Sequence, residues 1–187
     1  MSIQHLPEFD LDPALPIASR FIERGIGSFR EAAEYIRDLP YGRNSDRADY
    51  HLTLIEGRGT CSTKHALLAA LAAEHGTAVD LMLGIYEMNE RNTPGVGAVL
   101  DRYGLDAMPE AHCYLRCGET RIDLTRNVIA EESIERFLHE EQISPENIGA
   151  YKVELHRRIM AEWGNGRGAG DLWNIREECI EALGNPR

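Results

Sequence analysis

The chain has 187 residues, 43% of them hydrophobic, and a formal net charge of −11. This length and apolar content allow one well-buried core, so we expect a single domain. Because the acidic residues are spread along the chain, we expect neither a nucleic-acid partner nor a membrane partner. Met1 to Arg20 lacks the basic and apolar runs of a signal peptide, and no apolar stretch reaches membrane-spanning length. The four cysteines therefore indicate free thiols in a cytoplasmic protein.

The N-terminal part of the chain predicts short helices joined by loops. Ser28 and Glu31 form a capping box that opens a helix, and this helix should end before Pro40. The other expected segments are an irregular lead-in over 1–27 with a short helix at 17–24, a loop over 41–50, and a short extended piece over 52–55.

An apolar helix is predicted to begin at Cys61. Glycines before it allow a sharp bend, Thr60 caps it, and Gly76 ends it. Residues 66–73 are apolar on every side, which is the pattern of a helix buried in a domain centre. A helix N-terminus stabilises an anion, so the pKa of the Cys61 thiol should fall and make Cys61 a nucleophile. The alternative is that Cys61 is only a small buried residue.

The middle of the chain predicts strands. Residues 79–86 are apolar on both faces, as in an inner strand, and a helix is expected over 96–103. Two further strands over 111–125 are joined by a two-residue turn at Gly118 and Glu119.

That turn sets the pairing of the two strands. Counting back from it, Tyr114 faces Asp123. His112 then faces Thr125, so the four side chains lie on one face and His112 is the diagonal neighbour of Asp123. The opposite face is apolar and should face the core; it consists of Cys113, Leu115, Ile122 and Leu124.

The C-terminal part predicts helices over 131–142, 144–163 and 171–184. The glycine-rich stretch 164–170 does not follow a strand and lacks the spacing of a phosphate-binding loop. We expect it to be a mobile connection.

Three residues supply the groups of a thiol-based catalytic triad. A thiolate nucleophile needs a base to hold its proton, and the base needs a third group that fixes its tautomer. Cys61 would attack, His112 would act as base and then as acid, and Asp123 would orient His112. This chemistry needs no cofactor and no metal ion.

The order of the three residues resembles that of the transglutaminase-like superfamily, relatives of the papain-type cysteine hydrolases. The resemblance covers about residues 28–127. Its specific elements are Gly59-Thr60-Cys61 opening an apolar helix, Ala111-His112 opening a strand, and Asp123-Leu124-Thr125 on the partner strand. The segment from Glu34-Tyr35-Ile36 to Leu39-Pro40-Tyr41 also looks like the helix and tyrosine that precede the cysteine in that family.

The resemblance implies an α+β fold of the papain-like, transglutaminase-like type, with the cysteine helix packed on an antiparallel sheet. Residues 28–127 would be the catalytic core of one domain over 1–187, followed by a helical extension over 128–187. The implied activity is acyl transfer through a thioester, most often hydrolysis of a peptide or amide substrate. The backbone N–H of Cys61 would hold the oxyanion, aided by a side chain: Tyr41, Asn44 or His51.

Other functions stay open at this point. An amine in place of water would make the protein a crosslinking acyltransferase, and a relative that keeps only the fold would be a binding or scaffold protein. Thiol redox chemistry on Cys113 and Cys117 is a third alternative, although their spacing does not match the thioredoxin-type motif. The substrate and the oligomeric state are not defined by the sequence.

Four neighbours of the triad have simpler expected roles. His65 lies one turn below Cys61 and should pack or form hydrogen bonds. Lys64 should be a solvated or first-turn charge that helps to lower the pKa of the cysteine. Tyr114 should pack. Cys113 points away from His112 in a strand, and no further pair of ligands completes a tetrahedral set, which argues against zinc.

Overall fold

Helices and one β-sheet alternate along the chain in a computed structural model that describes residues 3–126, 130–164 and 166–184. The α-helices are α1 (Pro16–Ile22), α2 (Phe29–Asp38), α3 (Leu52–Glu56), α4 (Cys61–Glu74), α5 (Gly97–Arg102), α6 (Ala150–Trp163) and α7 (Ala169–Gly184). The strands are β1 (Asp80–Met88), β2 (Met108–Cys117), β3 (Thr120–Ile122) and β4 (His139–Ile143). Short 3-10 helices lie at Ile3–His5 and Pro145–Ile148.

The strands form one antiparallel sheet in the order β3-β2-β1-β4. Strand β1 is an inner strand, as predicted. Cys117 lies opposite Thr120 in the pairing of β2 with β3, which confirms the predicted two-residue turn. The fold class is α+β, as expected.

The chain divides into two compact units. The first consists of residues 1–82, 113–127 and 142–149, and the second of 83–112, 128–141 and 150–187. Within the first unit, α4 packs against α1, α2, α3 and the 3-10 helix at Pro145–Ile148. Within the second, α7 packs against α5 and α6. The single domain with a core over 28–127 stays a prediction, and Asn127 itself lies outside the described residues.

Helix α4 is the buried centre of the first unit. Every residue from Cys61 to Ala72 is buried, which confirms the predicted central helix. At its start the Thr63 hydroxyl accepts a hydrogen bond from the backbone N–H of Thr60, at 3.1 Å. At its end Gly76 has a φ of 66°, the left-handed conformation that a side chain disfavours.

Helix α2 has the predicted capping box. The Ser28 hydroxyl accepts from the Glu31 N–H at 3.4 Å, and the Glu31 carboxylate accepts from the Ser28 N–H at 3.1 Å. Its apolar stripe is fully buried: Phe29, Ala32, Ala33 and Ile36. The helix ends before Pro40, because proline cannot continue it.

The expected extended piece over 52–55 is wrong, since these residues belong to α3. Gly57 follows this short helix in the left-handed conformation, with a φ of 64°. The glycine therefore ends a helix as well as preparing the bend toward α4. The helix packs against α4. The packing of α3 against α4, rather than the alternation of side chains in the local sequence, therefore decides the conformation of residues 52–55.

The expected helix over 131–142 is also wrong, because this stretch contains β4 and no helix. The backbone N–H of Leu138 donates to the carbonyl of Ile85 on β1, at 2.7 Å. The Phe137 ring lies against Gly84, where a Cβ would come within 2.4 Å of the ring. The edge of β1 that is not paired with β2 thus binds this segment through backbone hydrogen bonds, although the spacing of its apolar residues suggests a helix.

The expected helix over 144–163 is interrupted at Gly149. The 3-10 helix at Pro145–Ile148 precedes this residue and α6 follows it. A Cβ on Gly149 would lie 2.7 Å from the Cβ of Ala48, so the backbone itself packs there. The last helix begins at Ala169 rather than at Asp171 and reaches Gly184 as predicted.

None of the helices in the described ranges is both long and apolar enough to cross a membrane.

Candidate functional site

Cys61 is the first residue of α4 and is 6% exposed. The loop before it is held by backbone hydrogen bonds: the Gly59 N–H donates to the Pro40 carbonyl, and the Gly42 N–H donates to the Gly59 carbonyl, each at 3.2 Å. These bonds form a parallel bridge between Tyr41 and Gly59. The position of Cys61 is therefore set by the loop that follows α2.

Gly59 leaves no room for a side chain. A Cβ at this position would lie 2.9 Å from Thr63 Oγ1, 3.0 Å from Lys64 Cγ and 3.1 Å from Thr53 Oγ1. This close approach explains the glycine two residues before the cysteine, a position where the sequence suggests only conformational freedom.

Asn44 fixes the same loop from the other side. Its amide donates to the Arg58 carbonyl at 2.9 Å and to Glu56 Oε2 at 3.2 Å. Its oxygen accepts from the Thr63 hydroxyl at 2.8 Å. Both hydrogens of the Asn44 side-chain amide are engaged, so the residue has a structural role. The prediction that Asn44 donates to the oxyanion is therefore wrong.

The two other suggested oxyanion donors, Tyr41 and His51, have different surroundings. Tyr41 forms the backbone bridge to Gly59, and the Arg126 guanidinium lies 5.7 Å from the centre of its ring. The His51 ring lies 4.4 Å from the Tyr50 ring. Tyr41 is thus joined to the loop that positions Cys61, and its role as a donor stays a prediction.

Lys64 is fully buried, so the expectation of a solvated charge is wrong. Its ammonium donates to three backbone carbonyls: Arg37 at 3.2 Å, Leu39 at 2.6 Å and Thr125 at 3.0 Å. The carbonyls at the end of α2 have no N–H partner within the helix, and the Lys64 ammonium supplies the missing hydrogen-bond donor.

His65 is fully buried and forms hydrogen bonds, as expected. Its Nε2 accepts from the backbone N–H of Leu124 at 2.8 Å. Nε2 therefore carries no proton, and Nδ1–H donates to the Cys61 carbonyl at 2.8 Å. The ring is a neutral bridge between the first turn of α4 and the segment after β3.

Asp123 lies in that segment, with its side chain 36% exposed. The predicted pairing of Asp123 and Thr125 with β2 is wrong, since β3 ends at Ile122. Asp123 Oδ1 instead accepts from the Thr125 N–H at 2.9 Å and from the Thr125 hydroxyl at 2.6 Å. The side chain competes with the sheet for the backbone and turns the chain. Oδ1 also lies 3.8 Å from His65 Nε2.

His112 lies on β2 and is 8% exposed. It belongs to the second unit, where its ring is edge-on to that of Tyr86, with the ring centres 6.0 Å apart. The Tyr86 hydroxyl is 2.7 Å from the Thr93 hydroxyl, which fixes the aromatic ring. The structure thus places the predicted base in a packed, shielded environment.

Both faces of β2 are covered. The predicted core face is confirmed, since Cys113, Leu115, Ile122 and Leu124 are all buried. The opposite face, which carries His112 and Tyr114, is covered as well: Tyr114 is equally buried, with the Arg121 guanidinium 4.8 Å from its ring centre. Tyr114 is a packing residue, as expected.

All four cysteines lie in the described residues, and none forms a disulfide, as predicted. Cys113 and Cys117 are four residues apart on one strand, a separation of about 13 Å that no disulfide can span. Redox chemistry between these two thiols is therefore excluded. Burial raises the pKa of Cys179 to about 12, so this thiol is not a nucleophile.

A buried charge cluster in the second unit was not predicted. Glu110, two residues before His112 on β2, accepts hydrogen bonds from Arg176 at 2.7 and 2.6 Å. His156 lies 3.9 Å from Glu110 and is 2.9 Å from the Pro109 carbonyl. Glu110, a charged residue between Pro109 and Ala111 near the start of β2, is the signal that could have revealed it.

Comparisons with protein-family models, with curated proteins and with solved structures find no match to this chain.

Proposed function

We propose that the protein is a cysteine-dependent acyl-transfer enzyme of the transglutaminase-like, papain-like type, which hydrolyses a peptide or amide bond. Cys61 is the nucleophile, His112 is the base and then the acid, and Asp123 orients His112. The observation that carries the proposal is the position of Cys61: it opens a helix that is buried from Cys61 to Ala72, and a buried ammonium lies three residues further on. Both the helix N-terminus and the cation favour a thiolate.

The reaction has two halves. His112 accepts the proton of Cys61 Sγ, and the sulfur attacks the substrate carbonyl carbon to give a tetrahedral oxyanion that meets the Cys61 N–H. The C–N bond then breaks as His112 returns the proton to the leaving amine. Water attacks the resulting thioester, gives its proton to His112, and releases the acid and the thiol. Each half needs one base and one oxyanion donor, and no cofactor.

Acetylation by p-nitrophenyl acetate tests this proposal. Cys61 should be acetylated with release of p-nitrophenolate, and peptide mapping by mass spectrometry should locate the acetyl group on Cys61. His112→Ala should slow this step about a hundredfold or more, the usual contribution of a general base. Cys117→Ala is the matched control, since Cys117 is a half-buried thiol outside the proposed triad. Equal acetylation of Cys61 and Cys117 would contradict the proposal.

The acceptor of the acyl group separates hydrolysis from crosslinking. A fluorescent primary amine added with a glutamine-rich protein becomes attached to that protein only if the amine competes with water for the thioester. We expect the free acid to be the product. Stable attachment of the amine in a Cys61-dependent reaction would assign the protein as an acyltransferase instead.

A further inference from the structure

We propose that Lys64 and His65 are positioning residues for Cys61 and Asp123: they fasten the Asp123–Thr125 segment to the first turn of α4, and the Lys64 ammonium favours the Cys61 thiolate. This inference rests on the proposed function, because it names residues that serve the same nucleophile. The two residues are consecutive on a helix that is buried on every side.

Three carbonyl acceptors surround the Lys64 amine, and they require a charged group. A neutral amine has two N–H donors and a lone pair, and the lone pair would face one of the carbonyl oxygens. The ammonium has three donors, one for each of the carbonyls of Arg37, Leu39 and Thr125. The geometry thus defines Lys64 as a buried cation.

The charge of Lys64 is supported by its surroundings. Burial lowers the pKa of Lys64 to about 8, against the opposing influence of Asp38, Asp123 and Cys61. A group with this pKa is still about nine-tenths protonated at pH 7. Asp38 ends α2, Asp123 follows β3 and Cys61 opens α4, so the acidic groups acting on the cation come from each of these elements.

The cation is available to the thiolate. The hydrogen bonds of the Lys64 ammonium go to three backbone carbonyls, which carry no net charge and therefore do not neutralise it. Cys61 and Lys64 are three residues apart on α4, where side chains are neighbours on the helix surface. In a buried site this attraction is stronger than it would be in water.

His65 connects the same two elements mechanically. Its ring joins the carbonyl of Cys61 to the N–H of Leu124, with both hydrogen bonds at 2.8 Å. Lys64 binds the carbonyl of the next residue, Thr125. The residue that carries the proposed carboxylate, Asp123, is therefore followed by two residues whose backbone is tied to α4.

The rate of iodoacetamide alkylation at Cys61, measured against pH in folded protein, tests the role of Lys64. Lys64→Met should move the profile upward by about one pH unit, which slows alkylation at pH 6 about tenfold. Lys64→Arg keeps the charge and should keep most of the wild-type rate. Cys117 in the same molecules is the comparator, and its alkylation should not change. A wild-type profile for Cys61 in folded Lys64→Met would overturn the proposal.

Removal of three hydrogen bonds can unfold Lys64→Met, so Lys64→Gln, which keeps two N–H donors, is measured beside it. In whichever neutral variant keeps the wild-type circular dichroism, a Cys61 profile equal to that of the wild type would show that Lys64 serves only the fold, and the proposal would be wrong. Failure of the proposed function gives a different result: the alkylation profile of Cys61 would then be the same in the wild type and in His112→Ala.

His65 is tested by a pair of variants. His65→Gln offers an amide oxygen to the Leu124 N–H, whereas His65→Leu offers no acceptor. We expect His65→Leu to slow acetylation by p-nitrophenyl acetate about tenfold or more while the pH at which Cys61 ionises stays near the wild-type value, and His65→Gln to recover part of the rate. Equal rates in the wild type and folded His65→Leu would remove His65 from the proposal.

Discussion

Arg176 donates two hydrogen bonds to the Glu110 carboxylate, from Nε at 2.7 Å and from Nη2 at 2.6 Å, and both side chains are buried. Burial alone would raise the pKa of Glu110, but Arg176, with His156 and Lys152, holds that pKa below its ordinary value. The pair lies two residues from His112 on β2. The strand that presents the proposed base thus also carries one partner of a buried ion pair that was not predicted.

Loss of this buried ion pair should lower the free energy of unfolding more than loss of a surface ion pair. Arg176→Met leaves a buried carboxylate without its partner, and the free energy of unfolding should fall by about 3–5 kcal/mol. Urea unfolding followed by circular dichroism measures the change. Arg91→Met, which removes an exposed partner of Glu132, is the control and should have an effect within about 0.5 kcal/mol. A loss below about 1 kcal/mol for Arg176→Met would show that the buried pair is dispensable.

His156 should make the fold sensitive to mild acid. Burial lowers the pKa of His156, partly opposed by Glu110, so the folded chain resists protonation while the unfolded chain takes up a proton below about pH 6.5. The unfolded state then binds more protons, and stability falls as the pH falls from 7.5 to 5.5. Urea unfolding at the two values, in the wild type and in His156→Gln, measures this slope. The variant should have a shallower slope, and an equal slope would exclude His156 as its source.

Gly59→Ala should disturb the first turn of α4. The added methyl group would crowd Thr53, Thr63 and Lys64 at 2.9 to 3.1 Å, which should lower stability by about 1–3 kcal/mol. It should also slow acetylation of Cys61, because the same turn positions the thiol. Gly170→Ala is the matched control: nothing lies within 4 Å of its Cβ, and alanine in a helix should add about 0.5–1 kcal/mol. Equal midpoint temperatures of thermal unfolding in Gly59→Ala and Gly170→Ala would contradict this prediction.

Asp123→Asn should separate orientation from structure. The asparagine oxygen can still accept from the Thr125 N–H and hydroxyl, so the turn after β3 should persist. Loss of the carboxylate should nevertheless slow acetylation of Cys61 about a hundredfold or more. Asp80→Asn, which removes a carboxylate paired with Arg116, is the control and should leave the rate unchanged. Wild-type acetylation in Asp123→Asn would remove Asp123 from the triad.

Local signals explain what the sequence could predict. The cap formed by Thr60, the stop at Gly76 and the uninterrupted apolar run between them all lie within one segment, and they agree with one another. The turn at Gly118 similarly determines that Cys117 faces Thr120, because a two-residue loop leaves no other pairing. Elements of this kind need no information from the rest of the chain.

The errors come from distant partners. Phe137 and Leu138 have helical spacing, but the free edge of β1 draws their backbone into an extended segment. Lys64 was expected to be a solvated or first-turn charge; it lies in the first turn of α4, but only the folded chain brings three carbonyls to it. Neither of these two sets of contacts leaves a pattern in the local sequence. The end of strand β3 at Ile122 has a local cause instead, because the Asp123 side chain accepts a hydrogen bond from the Thr125 N–H.

The pH dependence of iodoacetamide alkylation at Cys61, located by mass spectrometry in the wild type and in His112→Ala, tests the central claim most directly. If Cys61 and His112 form a nucleophile and base, Cys61 should react at pH 6 with a pKa well below about 8.5, and His112→Ala should lose that reactivity. A Cys61 that is inert, or that titrates near about 8.5 in both proteins, would contradict the enzyme and favour a binding or scaffold role.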